Sequence, residues 1–379
     1  MKIEQVYQFV NTATQEVLGA SAVVQEDLSN IVDIGDSIQN ALGTEKFYGS
    51  LVNQIGRMLF VTRPYKGKYL SMFRDAWEFG SIVGKVQADL MDATEDEQWQ
   101  IVNGASYDPY VVNLPVVTAK FFNKAVAFEI DITTPVDQIK QSFKSAEEMD
   151  RFLSMLEVQV NNSMELKMEA LAQRAVNNMV GATIVGNNGA RVVKLLTEYN
   201  TLAGTSLTAN DCLIDAGFLR YAVGRFLDYK GYLSEYSELY NEGGKARHTP
   251  ADKLHFVCFN TFASRCKTHL QSLTFHEELV KLPYYEEISK WQGTGTGGSI
   301  SDRTKIYADV TLPDGTTGTC NQGAIVAVMF DHDALGILQP KKEVDVAYNP
   351  KGKYFNSFHR WHSRYFCDFQ ENAVVFLLA

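Results

Sequence analysis

DALGILQPKKEVDVAYNPKGKYFNSFHRWHSRYFCDFQENAVVFLLA, residues 333–379, decides the fold class of this chain. Over 341–348, Val344, Val346 and Tyr348 alternate with Glu343, Asp345 and Ala347, the period-two pattern of a strand with one buried face. Asn349-Pro350-Lys351-Gly352 then reads as a turn, in which proline presets φ and glycine supplies the conformation other residues avoid. A second strand follows over 353–369. It carries Tyr354, Phe358 and Phe366 on one side and Phe355, Trp361, Tyr365 and Phe369 on the other, so both faces call for protein. Gln370-Glu371-Asn372 turns the chain into the apolar run 373–378, and the C-terminus is expected to be held inside a sheet.

Upstream, apolar residues recur at helical spacing over 2–18, and a second helix is expected after Thr44, with Phe47, Leu51 and Ile55 on one face. A strand over 76–90 changes phase at Gly80-Ser81, which reads as a bulge. Its expected partner is 125–133, where Val126, Phe128, Ile130 and Ile132 alternate cleanly with Ala127, Glu129 and Asp131. A long connection of this kind is usually functional, and a two-stranded arm needs a neighbour to lie on. Thr134-Pro135 reads as a helix start. The capping box at Ser145 to Glu148 opens the longest helix, expected to stop before Gly181. Met149, Leu153, Leu156, Val160, Met164, Met168, Leu171, Ala175 and Met179 form its single apolar stripe, with Gln159, Asn162, Glu165, Glu169 and Gln173 opposite. The region 182–339 mixes short helices (218–227, 261–270) with strands (254–259, 324–330), as a compact α/β domain would. Its expected loop tips are 241–244 and 293–299.

The order of elements, with Asn349, Pro350, Gly352, Tyr354, Asp368, Glu371, Asn372, Val374, Val375 and Phe376 in the closing strands, resembles the tailed-bacteriophage major capsid proteins of the Hong Kong 97 type. The resemblance covers nearly the whole chain and implies an α+β fold with an N-terminal arm at 1–43 and an extended β-arm at 76–133. A discontinuous peripheral domain would take 44–75, 134–184 and 340–379, built around a spine helix at 146–180, with the terminal strands packed beneath that helix; an axial domain would take 185–339. It departs from many relatives in that only 1–43 precede the body, so a separate scaffolding protein, or none, is expected in place of a cleaved N-terminal segment.

Bulk composition agrees with a globular chain: 379 residues, 45% hydrophobic, 21% charged. The longest apolar runs, 324–330 and 373–379, are far short of the roughly 20 residues a membrane helix needs, and no leader pattern is visible. Five scattered cysteines without a CxxC pair argue against a disulfide framework or a zinc ribbon and for a reducing cytoplasm as the place of synthesis. A net charge of −10 without a basic tail gives little footing for gripping a phosphate backbone. Any DNA is expected to be contained rather than bound.

Candidate chemistry is thin. Gly293 to Gly298 satisfies GxGxxG, but no strand leads into it and a strand rather than a helix follows. Cys266 and His269 sit three apart on a helix without an identifiable orienting residue. His359 and His362 fall on opposite faces of a strand, and His332 lies in a turn between Asp331 and Asp333. No catalytic, cofactor or metal site is therefore expected. The residues singled out for contacts between subunits are the acidic Asp92, Glu95, Asp96 and Glu97 near the arm tip and the basic Arg57, Arg63, Lys66, Lys68 and Arg74 before it. Many weak ion pairs repeated around a shell gain through simultaneous engagement. What the resemblance implies is a capsid protein, made in the bacterial host and resident in the virion. Pentamers and hexamers of it would enclose double-stranded DNA, with scaffolding, portal and decoration proteins as partners and no membrane. An encapsulin-like compartment and a cytoplasmic enzyme using Cys266/His269 are the alternatives.

Overall fold

A computed structural model of the chain describes residues 11, 15, 63–74, 82–91, 93–96, 99, 102–106, 108–135, 146–186, 189–271, 285–292 and 302–379. Except for helical positions Asn11 and Gln15, the helix read over 2–18, the helix after Thr44, the Gly80-Ser81 bulge and the loop 293–299 lie outside these residues. By its contacts the chain divides into two units. The first is Met1–Tyr65, Ile130–Ser163 and Val344–His359; the second is Lys66–Glu129, Met164–Glu343 and Arg360–Ala379.

The core of the second unit is a five-stranded sheet in the order β5 (Val192–Lys194), β14 (Ala373–Leu377), β10 (Ile325–Asp331), β6 (Leu254–Phe259), β7 (Tyr285–Ile288). β10 runs antiparallel to both neighbours, with Val328 opposite Val375 on one side and Val257 on the other. β10 and β14 are buried along their whole length, as continuous apolar runs require of central strands. Helices α2 (Leu195–Ala203), α3 (Ala216–Ser234) and α4 (Asn260–Gln271) contribute to the core with these strands. Phe226 of α3 meets the rings of Phe256, Phe262 and Phe376 at centroid distances of 5.1, 6.0 and 4.8 Å. α3 starts where Asp215 accepts the Phe218 N–H at 2.6 Å, an N-cap.

The closing strand was expected to return beneath the long helix. It is the second strand of this sheet, and AVVFL, apolar at every position, is buried throughout. The strand before it reaches the helix, with Cys367 Sγ–H 3.7 Å from the Ala175 carbonyl.

The long helix α1 spans Ala146–Val185, 40 residues and roughly 60 Å at ~1.5 Å per residue. It runs through Gly181, where a stop was expected. A Cβ there would sit 3.1 Å from Val310 Cγ1 and 3.5 Å from Cys320 Cβ. Glycine at this position admits the hairpin β8 (Ile306–Thr311) and β9 (Thr317–Gln322) against the helix rather than ending it. The expected stripe is buried from Val160 through Met179. The side expected to be polar is partly covered as well: Gln173 donates to Lys290 O at 2.8 Å and Asn177 to Trp291 O at 2.7 Å.

A second sheet has the order β1 (Phe73–Arg74), β11 (Leu335–Leu338), β13 (Tyr354–Cys367), β12 (Lys341–Asn349), with β4 (Lys124–Pro135) also on β13. Here three expectations are corrected. Strand 125–133 pairs with β13, and among the described residues of 76–90 the strand β2 (Val83–Ala88) pairs not with it but with 117–122. Thr134-Pro135, read as a helix start, are the last residues of β4, and 136–145 lie outside the described residues. On β12, Val344, Val346 and Tyr348 are exposed, so that strand has no buried apolar face within its own chain.

The turn after β12 forms where expected, with Asn349 Oδ1 accepting the Lys351 and Gly352 N–H groups at 3.0 Å each. Positive φ, however, falls on Lys353 (51°). Gly352 is needed for space: any Cβ there would run into the Tyr354 ring, whose hydroxyl accepts from Asn349 Nδ2 at 2.8 Å.

Candidate functional site

Strands β2 (Val83–Ala88) and β3 (Val117–Phe122) form an antiparallel hairpin, with Lys85 opposite Lys120 and Gln87 opposite Thr118. The clean alternation of 125–133 had drawn the pairing to the wrong strand. VTAKFF has weak apolar contrast, and its partner had to be fixed by what its lysine meets in three dimensions.

Burial alternates along both strands, but its sense is inverted. Val83, Lys85 and Gln87 on β2, with Thr118, Lys120 and Phe122 on β3, are the less exposed set. Val86 (68% exposed) and Phe121 (72%) face outward with Ala88, Val117 and Ala119. Beyond Val83 and Phe122 at the root, polar groups face the body and apolar groups face solvent.

What the inward face meets explains the inversion. Two ammonium groups directly opposite on a sheet repel. Asp368 stands between them: Lys85 Nζ donates to its Oδ2 at 2.9 Å, and Lys120 Nζ donates to Oδ1 and Oδ2 at 2.7 and 2.9 Å. Lys85 also donates to Glu371 Oε1 at 2.7 Å and to the Asp333 carbonyl at 3.0 Å. Gln87 donates to the same Glu371 oxygen. Both carboxylates belong to residues only 4% exposed. Burial would push the Asp368 carboxyl up, but the Lys85 charge and the bonds from Lys120 and Lys85 hold it below the ordinary carboxylate value.

One step further along β2, Asp89 pairs with Lys245 at 2.8 Å and Arg247 at 3.4 Å. The loop before these two bases, expected as a free tip at 241–244, is tied down. Asn241 is 2% exposed, donates to Lys245 O at 2.6 Å and accepts Lys245 N–H at 2.9 Å. Glu242 N–H reaches Phe369 O at 3.0 Å. Gly243 and Gly244 take positive φ (95° and 60°), which lets the loop turn this tightly. Asn372, wholly buried, donates to Thr249, and Thr249 donates to Asp331 at 2.6 Å. The turn at 368–372 is thus a polar hub on which the hairpin, the 241–249 loop and the central sheet converge.

At the hairpin root, Val83, Phe122, Leu338 and Phe366 form a small apolar cluster, with Phe122 and Phe366 centroids 5.5 Å apart. Arg74 lies over Phe366 at 5.0 Å and pairs with Asp333 at 3.2 Å, bounding a cleft of about 350 Å³. Gly336 makes this possible, since a Cβ would come within 2.6 Å of Phe366 and 2.7 Å of Arg74 Nε.

Of the residues read from the sequence as contact candidates, Asp92, Glu97 and Arg57 lie outside the described residues. Glu95, Asp96, Arg63, Lys66 and Lys68 are exposed, whereas Arg74 is committed to Asp333 and the His332 carbonyl of its own chain. Sequence reasoning missed Lys85, Gln87, Lys120, Lys245 and Arg247. The available signal was one lysine at an inner position of each strand, Lys85 and Lys120, together with a carboxylate pair at 368 and 371 between the apolar runs of the closing strands.

Burial pushes the Cys266 thiol up to about 12, the opposite of what a nucleophilic cysteine requires. Among the described residues, no His, Cys, Asp and Glu are grouped to hold a metal, and no helix is long and apolar enough to cross a membrane.

A sequence profile of the family described as Phi29-like phage major capsid protein matches residues 9–377. Among solved structures, the chain is similar to the capsid structure of Staphylococcus phage Andhra, with a TM-score of 0.57 and 9% identity over 85% of this chain and 87% of that one. It is similar to a chain in the structure of head fiber and inner core protein gp22 of native bacteriophage P68 (TM-score 0.58, 10% identity, 85% and 87%). The capsid structure of cyanophage P-SCSP1u gives a TM-score of 0.50 and 11% identity over 86% and 91%. At such identities the likeness is one of fold, and it carries the expected α+β capsid class. No curated protein matches the chain in sequence.

Proposed function

The chain belongs to the Phi29-like phage major capsid protein family, and from that premise we propose that its inverted hairpin is the arm by which one subunit of the shell holds the next. As a phage major capsid protein it is a structural component of the virion that assembles with copies of itself into an icosahedral shell, and it is not an enzyme.

The observation that carries the arm reading is the outward apolar face of β2 and β3. A contiguous apolar surface on an extended two-stranded element is costly in water and marks a contact still to be made. Beyond the strands, Tyr110, Val111, Val112, Leu114 and Val116 continue the exposed apolar character toward the tip. In our reading the acidic run Asp92, Glu95, Asp96 and Glu97 of one subunit lies over Arg57, Arg63, Lys66 and Lys68 of its neighbour, and Arg74 anchors the arm at home.

The finer organisation belongs to the same reading. Head-to-tail contacts close into rings, here pentamers and hexamers with residues 185–339 around the ring axes. The peripheral segments 44–75, 134–184 and 340–379 and the arm 76–133 bridge outward. Double-stranded DNA is enclosed without sequence-specific binding, which a net charge of −10 favours. Scaffolding, portal and decoration proteins are the further partners.

The test is the double variant Val86→Asp, Phe121→Asp, expressed as the full chain and imaged by negative stain after light scattering. A folded chain that forms no regular shells is the expected result. Regular shells at parental yield would sink the arm reading.

A further inference from the structure

Resting on the arm reading above, we propose that the buried carboxylate pair Asp368 and Glu371 selects which face of the hairpin is offered to the neighbouring subunit. A two-stranded ribbon has two faces; one carries Val86, Ala88, Val117, Ala119 and Phe121, the other has Val83 and Phe122 as its apolar residues, so hydrophobic burial alone would turn the first against the subunit's own body. The observed facing is the reverse, and carboxylates of the subunit's own body enforce it. Lys85 and Lys120 reach Asp368, while Lys85 and Gln87 reach Glu371.

Turning the ribbon over would leave two carboxylates, 4% exposed, without their cations. It would also leave Lys85 and Lys120 facing each other with no acid between them. An uncompensated buried charge is among the most unfavourable states a fold can adopt. The pair therefore outweighs the apolar preference of the ribbon and keeps its apolar face free for a second copy of the chain. Asp89, held by Lys245 and Arg247, repeats the same logic one step further out. Asp368 and Glu371 are thus positioning residues: they touch no partner subunit in this account and act through the arm.

The facing can be read directly by thiol labelling of the unassembled full chain. Ala88→Cys reports the outward face and Thr118→Cys the inward one, and the native cysteines are buried or half-buried. In the parent the outward position should label at least about tenfold faster, and with Asp368→Asn, Glu371→Gln the ratio should fall toward one, as loss of a buried charge pair shifts equilibria by a decade or more. The same variant should give few or irregular shells. Should it fail to fold by circular dichroism, Lys120→Met removes one arm-side cation and should lower the ratio about threefold, because Lys85 remains on Asp368. A folded variant with an unchanged ratio, or regular shells despite a collapsed ratio, overturns the proposal. Failure of the arm reading itself is separate and shows as regular shells from Val86→Asp, Phe121→Asp.

Discussion

The central sheet and the hairpin are held by different forces. In the sheet, β10 and β14 are apolar at nearly every position and buried throughout, so stability there scales with area removed from water. In the hairpin most apolar side chains face out, and attachment falls to a few charged contacts and to Val83 and Phe122 in a small cluster at the root. The difference teaches that burial within one chain is not the only use of an apolar residue. A subunit made for a lattice keeps some in reserve.

The largest expected effect tests the sheet. Phe376→Ala empties a site touching Phe226 and Tyr229 and should cost about 3–5 kcal/mol in denaturant unfolding. The comparison breaks if hydrogen exchange in β2 and β3 accelerates as much as in β10, for the two regions would then be one cooperative unit.

Acid separates the regions next. Burial, with His332 and Arg74 nearby, lowers the His255 pKa from 6.5 to about 4. The folded histidine therefore stays neutral where the unfolded one takes up a proton. Its contribution is complete above pH 6.5 and is lost as pH falls toward 4, an effect of up to about 3 kcal/mol. Asp368 is shifted down, so its contribution is present above the unfolded carboxylate value of 3.8 and is lost only below it, as pH falls through the folded value. Melting temperature should drop between pH 6.5 and 4 while the outward-to-inward labelling ratio of the hairpin holds, the ratio cancelling the slower thiolate chemistry in acid. Simultaneous loss of both would show that the sheet carries the arm's seat.

The smallest effect belongs to the outer clasp. Asp89→Asn should lower unfolding stability only slightly, since Lys245 is 40% exposed and such pairs are screened. The corresponding loss in parent protein should appear on raising salt. A larger, salt-independent cost would move Asp89 into the class of Asp368.

Much of the central architecture was legible. Unbroken apolar runs at 324–330 and 373–378 read as strands held inside a sheet, and the three-and-four spacing through Met179 read as a long helix with one dry side. The Asn349 turn was legible too, because an Asx side chain builds it locally. The errors arose where a residue type has two uses. Gly181 could end a helix or admit a neighbour, and the choice rests on Val310, 129 positions away. Val344, Val346 and Tyr348 could line a core or wait for another chain. On β2, alternation gave the period correctly but not its direction.

What the sequence determined by itself was periodicity: the spacing of the long helix and of the central strands, and the apolar β-structure of the closing segment. Only the tertiary structure decided which face of each element turns inward and which strand pairs with which. The physical reason is that backbone geometry fixes spacing locally, within a few residues. The inward face depends instead on the cost of stranding groups such as Asp368 and Glu371, whose partners at Lys85, Gln87 and Lys120 lie hundreds of residues away.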